Sequence, residues 1–98
     1  MTTSPANLPE GLPENVEAYN KSPVFTQDSV PPSLLNDHAT KEGVWGVIHV
    51  ISGELVYTVP SRGSEEILSV GRSGLVRPAV PHRVQPLGDV SFYVEFWK

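Results

Sequence analysis

The chain has 98 residues, no cysteine and a formal net charge of −4 at pH 7. This length holds one small domain, and the lack of cysteine excludes zinc ribbons. The chain contains fourteen valines but four alanines, and eighteen positions are glycine or proline. Because β-branched side chains favour strands, this composition excludes helical bundles and predicts short strands joined by turns. No apolar run approaches the ~20 residues of a membrane helix, and no basic stripe is present to bind nucleic acid.

The first fifteen residues differ from the rest of the chain. They carry three of the ten prolines and no periodic apolar pattern. They also lack the basic region and apolar stretch of a secretory signal, which favours a cytoplasmic protein. We therefore predict a flexible N-terminal arm over residues 1–15 and a single β domain over residues 16–98.

Within the predicted domain, strand signals follow one another at short intervals. A short edge strand is expected over Lys21–Phe25, and a loop over Ser29–Asp37, from which Leu34 and Leu35 anchor the chain to the core. A tight hairpin is expected at Ser52-Gly53. The remaining strands are predicted over Val44–Ile51, Glu54–Val59, Glu65–Val70, Leu75–Arg77, His82–Pro86 and Val90–Trp97. Six to eight short strands in so small a domain predict an all-β sandwich or small barrel.

The last predicted strand alternates cleanly. Apolar residues occupy the even-numbered positions from Val90 to Phe96, and the odd-numbered positions from Ser91 to Trp97 form the other face. The even-numbered face is therefore expected to line the interior. Glu95 is a charged residue between two apolar neighbours, so a role for its carboxylate is worth testing.

Three histidines are the natural metal-binding residues of this chain: His38, His49 and His82. His49 lies in the middle of a predicted strand and points away from the face of its neighbours Ile48 and Val50. His38 and His82 lie on segments predicted to be neighbours in a small barrel. Their side chains can converge on one point inside it, as a metal or polar-ligand site requires.

Several segments carry a resemblance to a known family. They are SPVF at 22–25, HATKEGVWG at 38–46, VISGEL at 50–55, PHRV at 81–84 and FYVEF at 92–96. In this order they resemble the two halves of the cupin signature, and they are most similar to the small cupin domain of TehB-type tellurite-resistance proteins and their YeaR-like relatives. The resemblance implies a cupin β-sandwich (a double-stranded β-helix, jelly-roll-like) that is often a homodimer. It also implies one internal pocket and a link to tellurite, other oxyanions or chemical stress.

The resemblance also implies a set of site residues. The usual second histidine and the glutamate of the cupin signature are replaced at or near Thr40 and Gly46, which leaves His38 and His82 as metal ligands and Glu95 as the candidate third ligand. The metal would be a divalent zinc, nickel, manganese or iron ion. Thr40, Lys41 and Trp45 are candidate pocket residues, with Lys41 attracting a small anion and Trp45 forming an apolar wall.

Two arginines beside the second motif are further candidates for anion binding. Arg77 and Arg83 flank this motif, and strand alternation places Arg83 on the outer face, away from His82.

Three functions remain open from the sequence. The first is a metal-binding cupin that handles an oxyanion or other stress molecule, the second is a metal-free cupin that binds or senses a small molecule, and the third is a homodimeric interaction module. An inward-pointing Glu95 favours the first, and a Glu95 outside the pocket favours the second. No recognisable catalytic motif is present, and we expect no methyl transfer from a chain too short to hold a methyltransferase domain.

Overall fold

The computed structural model describes residues 9–98, which form one antiparallel sheet of six strands and one short helix. The elements are β1 (Ala18–Lys21), β2 (Phe25–Thr26), α1 (Pro32–Leu35), β3 (Trp45–Val59), β4 (Ser64–Leu68), β5 (Gly74–Val76) and β6 (Arg83–Trp97). The strand order is β1-β6-β3-β4, with β2 also paired to β6 and β5 also paired to β3. The prediction of an all-β domain is therefore confirmed.

The two longest strands, β3 and β6, correct two predicted boundaries. The hairpin expected at Ser52-Gly53 is absent, because β3 runs through it as one strand of 15 residues. The break expected at Leu87–Asp89 is also absent, because β6 is likewise a continuous strand of 15 residues. The two strands pair with each other on both sides of these positions, from Trp45 opposite Trp97 to Thr58 opposite Arg83.

The reason is a shared irregularity in the β3–β6 pairing. The register shifts between Val50 and Ser52 and again between Ser52 and Glu54. Gly53 (φ +80°) and Gly88 (φ +75°) adopt left-handed backbone conformations at this point, on opposite strands. Glycines with positive φ serve β-bulges as well as hairpin turns, and bulges bend a strand without reversing it. We call this irregularity the β3–β6 corner.

The corner keeps both halves of β3 facing one core. Before it, the core residues of β3 are Ile48 and Val50, and after it they are Leu55, Tyr57 and Val59. The change from even to odd numbers requires one extra residue, since side chains alternate between faces along a regular strand. The rest of the core comes from the other strands: Leu68, Val76, Val84, Val90 and Phe92.

The N-terminal strands add to the outer edge of β6. Two short strands, β1 and β2, replace the single edge strand expected over Lys21–Phe25. Both pair with β6, and the segment Ser22-Pro23-Val24 that joins them belongs to neither strand. Proline cannot donate a ladder hydrogen bond, which accounts for the interruption. Ser22 still holds the chain in place, because its Oγ accepts a hydrogen bond from the Val94 amide at 2.9 Å.

The loop that follows contains the one-turn helix α1, which begins after Pro31 and has a proline in its first turn. Leu34 packs against the core as predicted. Leu35 does not, since 40% of its surface is exposed.

The turn predicted after Val59 is confirmed as a 3₁₀ turn over Pro60–Arg62 that ends at Gly63 with φ +62°. Of the predicted N-terminal arm, residues 1–8 lie outside the described residues, and Gly11 lies beside Leu75. Within residues 9–98, no helix has the length and apolar character needed to cross a membrane.

Candidate functional site

His38 and His82 lie side by side, as the sequence predicts. His82 directly precedes β6, and His38 lies on the segment that leads into β3. The two residues form a short antiparallel bridge, in which the His38 amide donates to the His82 carbonyl at 3.0 Å and the His82 amide donates to the His38 carbonyl at 2.8 Å. The ring centroids are 4.3 Å apart. The backbone bridge therefore fixes the spacing of the two imidazoles.

Both histidines line a cavity of about 170 Å³ inside the bent sheet. Its polar side chains are the two histidines with Thr40, Ser22 and Ser33. The remaining lining residues are apolar: Phe25, Pro31, Leu34, Ile48, Val76, Val84, Phe92, Val94 and Phe96. The even-numbered face of β6 lines the interior as predicted, because Phe92, Val94 and Phe96 belong to this set. We call this space the histidine cavity.

Burial disfavours the charged form of His82. Only 4% of its surface is exposed, and burial lowers its pKa below the ordinary value of 6.5, an effect that nearby His38 adds to and the hydrogen bond with Val80 opposes. Its Nδ1 lies 3.2 Å from the Val80 carbonyl oxygen. A carbonyl only accepts, so the neutral ring carries its proton on Nδ1, and Nε2 keeps a free lone pair.

A strained turn supplies that carbonyl. Ala79 has φ +61°, and within residues 9–98 it is the one non-glycine residue with positive φ. The turn is held by two hydrogen bonds, from the Ala79 amide to the Thr40 carbonyl at 3.1 Å and from the Val80 amide to the Arg77 carbonyl at 3.4 Å. Strain of this kind persists where the surroundings hold it in place. Here it positions the acceptor that sets the tautomer of His82.

His38 contributes an unsatisfied atom. Its Nδ1 is buried and has no hydrogen-bond partner among the described residues, 9–98. Buried polar atoms in folded proteins nearly always have a partner, and one without a partner requires an explanation such as a bound ligand. Among residues 9–98, the buried imidazole nitrogen without a hydrogen-bond partner is thus Nδ1 of His38, and it lies in the same cavity lining as the His82 ring.

The sequence reasoning missed Tyr57 as a neighbour of this site. Its ring contacts the edge of the His82 ring at 5.8 Å between centroids, and its hydroxyl donates to the Leu75 carbonyl at 2.7 Å. Burial raises the pKa of Tyr57 to about 12. The alternation of Leu55, Tyr57 and Val59 was the available signal, since it places Tyr57 on the inner face.

Of the three other predicted pocket residues, one lines the histidine cavity and two do not. Thr40 lines the histidine cavity, and its hydroxyl donates to the Val44 carbonyl at 2.8 Å. Lys41 is exposed and Trp45 lies on β3 opposite Trp97, and neither lines the cavity. Trp45 shares the odd-numbered face of β3 with His49, so alternation turns it away from the cavity.

Glu95 also lies away from the two histidines. Its Oε1 is 3.1 Å from Nε2 of His49 and accepts a hydrogen bond from Nε1 of Trp97 at 3.0 Å. The ring of Tyr93 stacks on His49 at 4.9 Å. The expected set of His38, His82 and Glu95 is therefore not assembled, because β6 turns Glu95 to the face opposite the cavity, where the β3–β6 register brings it to His49.

The donor set does not fit a tightly held divalent metal. Among residues 9–98, no three histidine, aspartate or glutamate side chains lie close enough together to hold one ion. Protein zinc sites have at least three protein ligands, and the histidine cavity offers two imidazoles among apolar side chains.

Comparison with known proteins agrees with this architecture. TehB of Haemophilus influenzae strain Rd, described as a probable S-adenosyl-L-methionine-dependent methyltransferase, is 34% identical over 76 residues, which cover 72% of this chain and 27% of that protein. TehB of strain 10810 is 33% identical over the same length. The chain thus spans about a quarter of the length of these relatives.

Solved structures show the same fold. The crystal structure of Haemophilus influenzae TehB superposes with a TM-score of 0.75 at 30% identity, over 84% of this chain and 31% of that one. A protein of Escherichia coli K12 superposes with a TM-score of 0.82 at 18% identity, over 89% of this chain and 94% of that one. Residues 20–94 match the TehB-like domain, and the chain belongs to this family.

Proposed function

We propose that this domain is a cupin-type barrel that binds a small, uncharged, mostly apolar molecule without a metal. The observation that carries the proposal is the neutral, buried His82 beside His38 in an otherwise apolar cavity. The barrel assignment is supported by the β3–β6 corner, which lets both halves of β3 face one core.

The cavity lining favours a neutral ligand. Of the fourteen described residues that line it, none is aspartate, glutamate, lysine or arginine. A charged ligand would lose its hydration there and gain no opposite charge, and this loss is costly in an apolar environment. The oxyanion expected from the family resemblance is therefore a poor match for this cavity, as is a metal ion held by two ligands.

The two histidines determine which polar group the ligand must carry. Nε2 of His82 accepts a hydrogen bond, and Nδ1 of His38 can accept or donate according to its tautomer. A hydroxyl or ring N–H on the ligand would donate a hydrogen bond to Nε2 of His82 and lie close to Nδ1 of His38. The volume of about 170 Å³ resembles an apolar cavity of ~150 Å³ that binds benzene. A single ring with one hydroxyl, such as phenol, has the right size and polarity.

This role is that of a binding or sensing domain. The relatives named TehB are described as probable methyltransferases, and this chain matches about a quarter of their length. We therefore place the domain in the recognition of a small molecule, within the chemical-stress role that the family resemblance implies.

Phenol binding to the tag-free protein tests the proposal. Titration followed by amide chemical shifts should show saturable changes at cavity residues. His82→Gln should weaken binding about tenfold, because one buried hydrogen bond is lost. His49→Gln, a change to a histidine on the opposite face, should leave the affinity unchanged.

Two results would refute the proposal. One is equal binding of phenol by the wild type and the His82→Gln variant. The other is stoichiometric binding of zinc that both His38→Ala and His82→Ala abolish, because that would make the two histidines metal ligands.

A further inference from the structure

A second, polar groove lies beside β3, β4 and β5 and is separate from the histidine cavity. It has a volume of about 230 Å³. It is lined by Pro9, Glu10, Tyr57, Val59, Arg62, Ser64, Glu66, Ser73, Leu75 and Arg77. We call it the arginine groove, after Arg62 and Arg77. The two spaces have no lining residue in common, but Tyr57 lines the groove while its ring contacts the ring of His82.

Two separate elements bring the arginines together. Arg62 ends the 3₁₀ turn after β3, and Arg77 directly follows β5. Both guanidinium charges act on the Tyr57 hydroxyl, where they oppose the rise in its pKa that burial causes. The guanidinium of Arg77 also lies beside Gly11, with Nη2 3.9 Å from the position of a Cβ on that glycine. Arg77 thus forms part of the wall between the sheet and the N-terminal segment.

Neither arginine forms an ion pair with another residue in the described part of the chain. Within residues 9–98, the ion pairs are those of His49 with Glu95 and of Arg83 with Asp37. Arg83 lies 2.8 Å from the Asp37 carboxylate, whereas Arg62 and Arg77 have no carboxylate of residues 9–98 within 4.0 Å. The groove holds two arginines and two glutamates, Glu10 and Glu66, and an anion beside the arginines would give each guanidinium the close charge partner that it lacks among residues 9–98.

We propose that the arginine groove binds a small anion, a phosphate or carboxylate group held between Arg62 and Arg77. A guanidinium presents a planar fork of N–H donors that matches the oxygens of either group. Glu10 and Glu66 also line the groove, and their negative charges oppose the anion. The affinity should therefore be modest, in the millimolar range typical of an exposed charged site.

The site differs from the expectation drawn from the sequence. There, Lys41 was the anion contact at the mouth of the histidine cavity, and Arg77 a further candidate. The structure leaves Lys41 exposed and outside both lining sets, and it places Arg77 in the same groove as Arg62. This proposal is independent of the phenol-type ligand proposed for the histidine cavity.

Titration with inorganic phosphate tests the proposal on the full chain. Ionic strength is held constant by replacing chloride with phosphate, so that general screening does not change. Amide chemical shifts of the labelled protein should saturate at groove residues such as Ser64 and Leu75. Arg62→Gln and Arg77→Gln should each weaken binding about tenfold. Arg83→Gln, in which the lost charge is already paired, should leave the affinity unchanged.

Glu66→Gln should change the phosphate affinity in the opposite direction to the arginine variants. Removal of this carboxylate should tighten phosphate binding about twofold to threefold, since one repulsive charge is lost. Weaker phosphate binding in this variant would overturn the anion proposal, because loss of a repulsive carboxylate cannot weaken the electrostatic binding of an anion. Acetate in place of phosphate then shows which of the two oxygen-bearing groups the fork prefers.

Chemical-shift changes that do not saturate with phosphate would overturn the proposal. An equal loss of phosphate affinity in Arg62→Gln and Arg83→Gln would also overturn it. Arg62 is exposed on a turn, so its variant tests the site even if Arg77→Gln does not fold. Failure of phosphate binding would leave the phenol experiment untouched, because that ligand occupies a different cavity.

Discussion

Gly53→Ala is expected to be among the most destabilising single-methyl changes in the chain. A Cβ at Gly53 would collide with the carbonyl oxygen of Asp89 and lie 2.9 Å from Cα of Val90, both backbone atoms of β6. Backbone atoms cannot rotate away as a side chain does, so β3 and β6 would have to separate at the corner. The φ of +80° adds a conformational cost, about 1–2 kcal/mol for a residue with a Cβ.

Gly88→Ala is the matched control for this prediction. Gly88 has φ +75°, but a Cβ there meets no heavy atom within 4 Å. The free energy of unfolding of the Gly88→Ala variant should fall only by the conformational cost of a Cβ at positive φ, about 1–2 kcal/mol. Gly53→Ala should lose that amount and at least about 2 kcal/mol more from the displaced backbone. The total of roughly 3–4 kcal/mol is a large share of the 5–15 kcal/mol that stabilises a typical domain.

Urea unfolding followed by tryptophan fluorescence measures both variants, since Trp45 and Trp97 lie on the two strands that meet at the corner. For a domain of this size, each kcal/mol corresponds to about 4–8 °C in Tm, so the difference should also be visible on heating. If Gly53→Ala is no less stable than Gly88→Ala, the close approach of β6 to Gly53 is refuted, and with it our account of the corner.

Three further changes test the surroundings of the histidine cavity. Burial lowers the pKa of His82 below 6.5, so the unfolded state takes up its proton first as the pH falls. The wild type should therefore lose stability from about pH 6.5 downward, and urea midpoints of His82→Gln should fall less over this range; equal slopes would refute the shift. Tyr57→Phe removes the hydrogen bond to Leu75 and should cost about 1 kcal/mol. Because the pKa of Tyr57 is raised to about 12, the wild type should also lose stability between about pH 10 and 12, whereas the Phe variant should lack this component; an unchanged alkaline profile would contradict it. Ala79→Gly should stabilise the protein by about 0.5–1 kcal/mol by relieving the positive φ, while Ala79→Val should destabilise it; thermal melting checks both, and a less stable Gly variant would argue against strain at this turn.

The sequence was informative wherever a short local pattern decides the structure. The alternation from Val90 to Phe96 predicted the inner face of β6 correctly, because side chains on a strand must alternate. The convergence of His38 and His82 was also predicted, since both lie where strands begin. The bridge between their backbones then fixes a ring spacing of 4.3 Å that no local pattern contains.

The sequence failed where a local signal has two structural uses. Ser52-Gly53 is as suitable for a bulge as for a hairpin, and only the presence of β6 along both halves of β3 decides between them. Glu95 is a similar case. Its face followed from alternation, but its partner His49 lies 46 residues away in sequence, and the register of β3 against β6 brings the two together.

By itself, then, the sequence determined the class of the fold, the inward face of its last strand and the pair of histidines that share a cavity. These depend on β-propensity and on the two-residue period of a strand, which are local properties. The tertiary structure decided that two long strands bend together at the corner, that Glu95 pairs with His49, and that Arg62 and Arg77 line one groove. These depend on strand register and on contacts between distant residues, which arise only when the sheet assembles.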